Sequence, residues 1–174
     1  MTKDEIRKEI KRLKAENADK MEEMSRTACE KLTSNPIYDS ASVVMLYSPL
    51  KDEVDTRYLI NDASASGKTV LLPVVVGEEL EIRVYTGEES MESGAYDIME
   101  PTGEVWTGDV DLIVTPGIAF SKSGQRVGRG KGYYDRLLKT IDCYKIGICF
   151  SFQLMDLSDV IETHDVKMNE VIWG

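Results

Sequence analysis

The chain has 174 residues, of which 42% are hydrophobic, and a formal net charge of −10; this is typical of one globular domain, which we place at residues 1–174, and not of a disordered chain. The charged segment Met1–Lys14 lacks the apolar stretch of a signal peptide, and the longest apolar run, Val70–Val76, is too short to span a bilayer. Because nucleic-acid backbones bind basic surfaces, a strongly acidic chain argues against DNA or RNA binding.

Helices and strands alternate in the first part of the chain. The first thirty-odd residues predict helix, because apolar residues recur at spacings of three and four, and Asn35-Pro36 ends the pattern. The positions that carry this periodicity are Ile6, Ile10, Leu13, Met21, Met24, Ala28 and Leu32. A β-branched apolar run predicts a strand over Ser42–Tyr47. Thr56–Ser66 predicts a helix that begins at Asp55 or Thr56 as N-cap and stops at the following glycine.

The rest of the chain adds strands and one further helix. Strands are predicted at Thr69–Val76, Leu80–Tyr85, Leu112–Thr115, Ile146–Phe150 and Val171–Trp173. Tyr133–Thr140 predicts a helix. This alternation predicts a three-layer α/β fold with a mainly parallel central sheet flanked by helices. Ligands of such sheets bind beyond the carboxyl ends of the strands, so the segment after Leu112–Thr115 is the first place to look for a site.

The chain has too few cysteine and histidine residues for a disulfide scaffold or for a zinc or other histidine-rich metal site. Cys29, Cys143 and Cys149 are odd in number and lack CxxC spacing, which argues against a disulfide scaffold or zinc site and fits a reducing compartment. His164 is the only histidine, which excludes a His-rich metal site, and we interpret it as an inert surface residue. No long exposed apolar stripe is visible. We therefore expect a cytoplasmic monomer.

Charge is unevenly distributed along the chain. Residues 77–111 hold eleven acidic residues and one basic residue, whereas Gly124–Arg136 holds four basic residues against Asp135 alone. Local positive charge in an acidic protein favours a focused site for a small anion. A solvated basic face is the alternative.

The basic segment is also rich in glycine. Gly124, Gly128, Gly130 and Gly132 precede the predicted helix, and glycine lets backbone N–H groups approach an anion closely. The helix N-terminus adds its own N–H groups and positive dipole end, so the segment predicts a phosphate cradle. The spacing is neither GxxxxGK[ST] nor GxGxxG, and a mobile turn is the alternative. Asp135, in the first helical turn, would either complement the helix dipole or bind Mg²⁺.

The same residues carry a resemblance to a known family. Pro116-Gly117-Ile118-Ala119-Phe120, followed by Gly124–Asp135 read as G-x-R-V-G-x-G-x-G-Y-Y-D, resembles the signature of 5-formyltetrahydrofolate cyclo-ligases. Further matches follow in order along essentially the whole chain: Lys3 and Arg7, Glu53 in an E-V-x-T segment, Gly67–Pro73, Ile98–Pro101, Gln153 and His164-Asp165. The chain departs from the family pattern at Tyr47, Ser121 and Asn169.

The resemblance implies a Rossmann-like fold of the CoA-transferase type and an ATP-dependent ligase. Such an enzyme closes 5-formyltetrahydrofolate into 5,10-methenyltetrahydrofolate and releases ADP and phosphate, with Mg²⁺ as cofactor. Phosphoryl transfer needs positioning and charge neutralisation more than a protein nucleophile, which suits this chain.

The resemblance also implies roles for individual residues. ATP binding is assigned to Lys3, Arg7, Arg126, Gly128, Arg129, Gly130, Lys131, Gly132, Tyr133 and Asp135. Folate binding is assigned to Tyr47, Glu53, Tyr96 and Tyr133. Mg²⁺ is assigned to Asp135 and Asp165, and the catalytic role to Lys131 and Arg126.

Alternatives stay open beside these assignments. Lys3 and Arg7 would otherwise be solvated helix residues, and Tyr47 and Tyr96 core aromatics. The chain would otherwise be a nucleotide- or folate-binding module without turnover, or a ligase for another formyl or acyl substrate. Nucleic-acid binding would depend on the basic loop alone.

Overall fold

The computed structural model describes all residues, Met1–Gly174. The strands are β1 (Val43–Met45), β2 (Thr69–Val76), β3 (Glu79–Val84), β4 (Met91–Ser93), β5 (Met99–Pro101), β6 (Leu112–Thr115), β7 (Ala119–Phe120), β8 (Arg126–Val127), β9 (Tyr144–Cys149) and β10 (Glu170–Trp173). The helices are α1 (Lys3–Glu16), α2 (Met21–Thr33), α3 (Pro36–Ser40), α4 (Arg57–Ala65) and α5 (Tyr133–Thr140). None of the helices has the length and apolar composition needed to cross a membrane.

Six strands form the central sheet in the order β10-β9-β6-β1-β2-β3. All neighbours are parallel except β3, which returns antiparallel beside β2. The turn between these two strands passes through Gly77 at a φ of 63°, a left-handed conformation that glycine adopts at little cost. The prediction of a mainly parallel sheet flanked by helices is confirmed.

The first thirty-odd residues are helical, as the apolar periodicity predicted, but the helical region has one interruption that the periodicity did not predict. α1 ends at Glu16, and a 3₁₀ turn over Ala18–Lys20 leads into α2. Asn17 lies at the break, and both its backbone N–H and its side-chain amide donate to the carbonyl of Leu13. Asparagine side chains compete for backbone partners in this way and thereby end helices. The apolar periodicity on either side is compatible with one helix or two.

Most other differences between the observed and the predicted secondary structure are short helices and strands that the sequence did not predict. α3 follows directly after α2, because Asn35 accepts from the backbone N–H of Ile37 as N-cap and Pro36 suits the first helical position. The hairpins β4–β5 and β7–β8 have only two or three residues in each strand. Such strands are too short to show an alternating pattern.

The central sheet is buried on both faces, and successive residues of a strand point to opposite sides. In β1, Val44 belongs to the core beneath α2 and α4, whereas Met45 belongs to the core beneath α5. A third, smaller core joins Ile6 and Ile10 of α1 to Val127 of β8. This third core holds α1 against the β7–β8 hairpin.

Replacing Phe120 by alanine is expected to destabilise the protein by about 3–5 kcal/mol, the usual cost of emptying a buried aromatic site. Phe120 is fully buried, and its ring packs so closely on Gly147 that a Cβ there would lie 2.4 Å from it. Urea denaturation measures the change. Val105→Ala is the control, since Val105 is 45% exposed. Equal midpoints for the two variants would contradict this description of the core.

Candidate active site

A cavity of about 600 Å³ opens beyond the carboxyl ends of β1 and β6. All fourteen candidate site residues from the sequence line it, although some are more than 150 positions apart in the chain. Five cationic residues and four carboxylates face this space, whereas the chain as a whole is strongly acidic. The cavity thus has a small excess of positive charge within an acidic protein, which favours a small anionic ligand.

One wall of the cavity is the glycine-rich segment Gly128–Gly132, here called the glycine loop. Gly130 and Gly132 have φ values of 106° and 75°, which other residues adopt only with strain. Arg7 reaches over from α1, and its Nε donates to the carbonyl of Gly128 at 2.9 Å. α1 thus fixes the path of the glycine loop at the cavity.

The glycine loop leads straight into α5, and no side chain caps this helix. The backbone N–H groups of its first turn, from Tyr133 onward, consequently lack side-chain partners at the cavity wall. Unpaired N–H groups and the positive end of the helix dipole together bind phosphate groups readily. The glycine loop and the start of α5 thus lie together at the cavity wall, and phosphate binding by them stays a prediction.

Arg126 lies at the base of the glycine loop. Its side chain is 6% exposed, and its Nε donates to the carbonyl of Pro116 at 2.7 Å. The guanidinium stacks over the ring of Tyr134 and lies 3.6 Å from an Asp135 carboxylate oxygen. Burial lowers the pKa of Arg126, although Asp135 opposes this shift. Arg126 therefore places a fixed, poorly hydrated cation beneath Gly128.

The other cations differ in how far they are already paired. Lys131 is exposed at the cavity rim and makes no ion pair within 4.0 Å. Arg129, in contrast, lies 2.9 Å from Asp52 and 3.5 Å from Glu53. Lys3 is 3.7 Å from Asp165. Lys131 is thus the cation most readily available to a ligand.

The carboxylates of Asp135 and Asp165 line the same cavity. No group of three or more His, Cys, Asp or Glu side chains is arranged to hold a metal ion by itself. Mg²⁺ commonly binds through one or two carboxylates and completes its coordination with water and substrate phosphate oxygens. Two carboxylates beside a phosphate cradle fit that donor set.

Another part of the cavity lining is largely apolar. It is formed by Leu50, Pro73, Val75, Leu80 and Ile98. Polar groups stand at defined points on this wall: the carboxylate of Glu53 accepts from the backbone N–H of Leu50 at 2.8 Å, and that of Glu100 accepts from Val75 at 2.8 Å. A flat, partly aromatic ligand with a few hydrogen-bonding edges matches such a surface.

The candidate aromatic residues fall into two groups. The Tyr47 side chain is buried in the core, and its hydroxyl donates to the carbonyl of Val54. Its ring thus belongs both to the core and to the cavity lining. Tyr96 is 56% exposed, and its hydroxyl lies 3.3 Å from that of Tyr133. This hydrogen bond raises the pKa of Tyr133 and joins two sides of the cavity.

Sequence reasoning missed several residues of this site. Glu100 is 8% exposed, a buried carboxylate facing a ligand cavity. Tyr134 packs on Arg126 and lines the cavity as well. Glu100 lies in the Ile98–Pro101 match and Tyr134 directly follows Tyr133, so the signature held a signal for both. His164 is 61% exposed and lies 3.0 Å from Glu162, outside the cavity lining.

Comparison with known proteins identifies the family. The sequence profile of the 5-formyltetrahydrofolate cyclo-ligase family matches residues 1–174. The 5-formyltetrahydrofolate cyclo-ligase of Mus musculus is 30% identical over 97% of this chain and 91% of its own length. That of Escherichia coli K12 is 29% identical over 92% of this chain and 93% of its own length.

A solved structure agrees. The NMR structure of Aquifex aeolicus 5,10-methenyltetrahydrofolate synthetase superposes with a TM-score of 0.86 at 33% identity, covering 98% of this chain and 88% of that one. The fold, the ligand cavity and the full-length sequence match point the same way, and the resemblance first noted at the glycine-rich signature is confirmed. The chain belongs to the 5-formyltetrahydrofolate cyclo-ligase family.

Proposed function

We propose that this protein uses ATP to close 5-formyltetrahydrofolate into 5,10-methenyltetrahydrofolate, releasing ADP and phosphate. The observation that carries the proposal is that two unlike sets of residues line one cavity, and we call them its nucleotide half and its folate half. A glycine loop, a helix N-terminus and several cations suit a nucleotide triphosphate. The apolar wall with its isolated carboxylates suits a pterin ring.

The chemistry joins the ligands of the two halves. The formyl oxygen attacks the γ-phosphorus of ATP and ADP leaves, giving an iminium phosphate on N5 of the folate. N10 then attacks the formyl carbon and loses its proton, and the C–O bond to phosphate breaks. Neither step needs a protein nucleophile, so the protein contributes positioning and electrostatic stabilisation.

In this proposal the glycine loop and the first turn of α5 bind the phosphate chain. Arg126 and Lys131 stabilise the charge that develops on the transferred phosphoryl group, and Lys3 and Arg7 support the same chain from α1. Asp135 and Asp165 are the residues that would hold Mg²⁺, which supplies further neutralisation of phosphate charge when bound.

The folate half uses other residues. Glu53 accepts hydrogen bonds from the N–H edges of the pterin. Tyr96 and Tyr133 face the space between the two ligands, where their joined hydroxyls border the reacting groups. Tyr47 acts indirectly by holding the segment that carries Glu53, because its hydroxyl binds Val54. We also propose that the enzyme works as a cytoplasmic monomer on small-molecule substrates alone.

The growth of methenyltetrahydrofolate absorbance tests the proposal. Purified protein, 5-formyltetrahydrofolate and Mg·ATP are expected to give product, and omission of ATP is expected to abolish it. Calorimetry that detects ATP binding to folded protein without product, under conditions where a control cyclo-ligase works, would favour the binding-module alternative instead.

A further inference from the structure

An ion pair between a buried lysine and a half-exposed aspartate lies just outside the cavity lining. Lys14, in the last turn of α1, is 7% exposed, and its Nζ donates to Asp52 at 3.2 Å. Burial lowers the pKa of Lys14, while the nearby Asp52 carboxylate opposes the shift. Buried ammonium groups are costly unless they are paired, so Asp52 is held firmly toward α1.

The other oxygen of the same carboxylate is also engaged. Asp52 Oδ1 accepts from Arg129 at 2.9 Å, and the same guanidinium nitrogen lies 3.5 Å from Glu53. Lys14 and Arg129 together offset the burial of Asp52 and lower its pKa. Asp52 is thereby a two-sided acceptor between a buried lysine and an exposed arginine of the glycine loop.

These contacts join three segments that are distant in sequence. Lys14 belongs to α1, Asp52 to the segment that carries Glu53, and Arg129 to the glycine loop. The guanidinium of Arg129 has five donors in a fixed fork and two carboxylate partners here, which leaves donors for a phosphate. The orientation of the Arg129 side chain toward the cavity therefore depends on Asp52, which accepts the shorter hydrogen bond from its Nη2.

We propose, on the basis of the proposed function, that the Lys14–Asp52 pair positions Arg129 for the phosphates of ATP, so that Asp52 is a positioning residue of the nucleotide half. Asp52 does not line the cavity. Its carboxylate, anchored by Lys14, keeps the arginine at the boundary between the glycine loop and the segment of Glu53. Arg129 is then already oriented when the nucleotide binds, which lowers the entropic cost of ordering its side chain on binding.

Asp52→Asn is the principal test. The variant is expected to raise KM for ATP about tenfold, and to raise it more than KM for 5-formyltetrahydrofolate, while kcat at saturation changes about twofold or less. Arg129→Ala is expected to have a similar effect. The double variant is expected to be no worse than Arg129→Ala alone, because Asp52 acts through the arginine.

Controls separate positioning from general damage. Arg12→Gln removes exposed ion pairs from the same helix and is expected to leave both KM values unchanged. Lys14→Gln is expected to reproduce the Asp52→Asn effect, and Lys14→Arg to restore most of it. Thermal unfolding of each variant identifies any that fails to fold, and Asp52, which is 47% exposed at its side chain, tolerates the amide.

Two results would overturn the inference: an unchanged KM for ATP in folded Asp52→Asn, or effects of the Asp52 and Arg129 substitutions that simply multiply. If the unmodified enzyme forms no product, the proposed function fails separately. The dissociation constant of a non-hydrolysable ATP analogue, measured by calorimetry, then decides the inference. It is expected to rise about tenfold in Asp52→Asn, and an unchanged value would contradict the role of Asp52.

Discussion

Replacing Lys131 by alanine is expected to lower kcat about 100-fold, the usual cost of removing one group that stabilises transition-state charge. Lys131 is exposed at the cavity rim and has no ion-pair partner to replace, so its loss leaves the fold intact. Its ammonium is free to follow the phosphoryl group during transfer. Steady-state kinetics at saturating ATP and 5-formyltetrahydrofolate measure the change.

Lys139→Ala is the matched control for this variant. Lys139 is an exposed lysine in the last turn of α5, away from the cavity, and its loss is expected to leave kcat unchanged. Lys131→Arg retains the charge in a different geometry and is expected to recover only part of the activity. An Lys131→Ala enzyme with unchanged turnover would remove Lys131 from the catalytic group.

Asp135→Asn is expected to lower kcat/KM for Mg·ATP about 100-fold and to raise the Mg²⁺ concentration needed for half-maximal rate. The substitution removes one of the two cavity carboxylates that suit the metal, without changing the size of the side chain. A Mg²⁺ titration at fixed ATP, monitored by product absorbance, measures both effects.

The dipole alternative for Asp135 makes a different prediction. If the carboxylate only complements the α5 dipole, Asp135→Asn costs about 0.3–1 kcal/mol of stability and leaves the Mg²⁺ requirement unchanged. Asp142→Asn is the control, because Asp142 is an exposed carboxylate just beyond α5 and outside the cavity. An unshifted Mg²⁺ titration in the Asp135 variant would favour the dipole role.

Strongly patterned elements were predictable from the sequence. β2, β6 and α5 have the bounds that their apolar patterns predicted. The helix after Asp55 was also placed well, with Thr56 at the N-cap position. The Thr56 hydroxyl makes no capping bond, because it donates to the carbonyl of Tyr47, and the Asp55 carboxylate accepts from the backbone N–H of Arg57. The buried hydrogen bond to Tyr47 thus replaces the capping hydrogen bond that the local sequence predicts for the Thr56 hydroxyl.

The site was predictable where its residues are close in sequence. The glycine loop and the start of α5 carry glycine, arginine and lysine within one segment, so their chemistry is visible locally. The pairing of Lys14 with Asp52, 38 positions apart, and the burial of Glu100 against Val75, 25 apart, arise only from the folded chain. Composition and periodicity contain no signal for such contacts.

Isotope transfer from the substrate would test the proposed reaction most directly. 5-Formyltetrahydrofolate labelled with ¹⁸O in the formyl group is incubated with Mg·ATP and the enzyme, and the released phosphate is analysed by mass spectrometry. Attack of the formyl oxygen on the γ-phosphorus requires each phosphate to carry one ¹⁸O atom. Methenyltetrahydrofolate formed together with unlabelled phosphate would contradict phosphorylation of the formyl oxygen in this cavity.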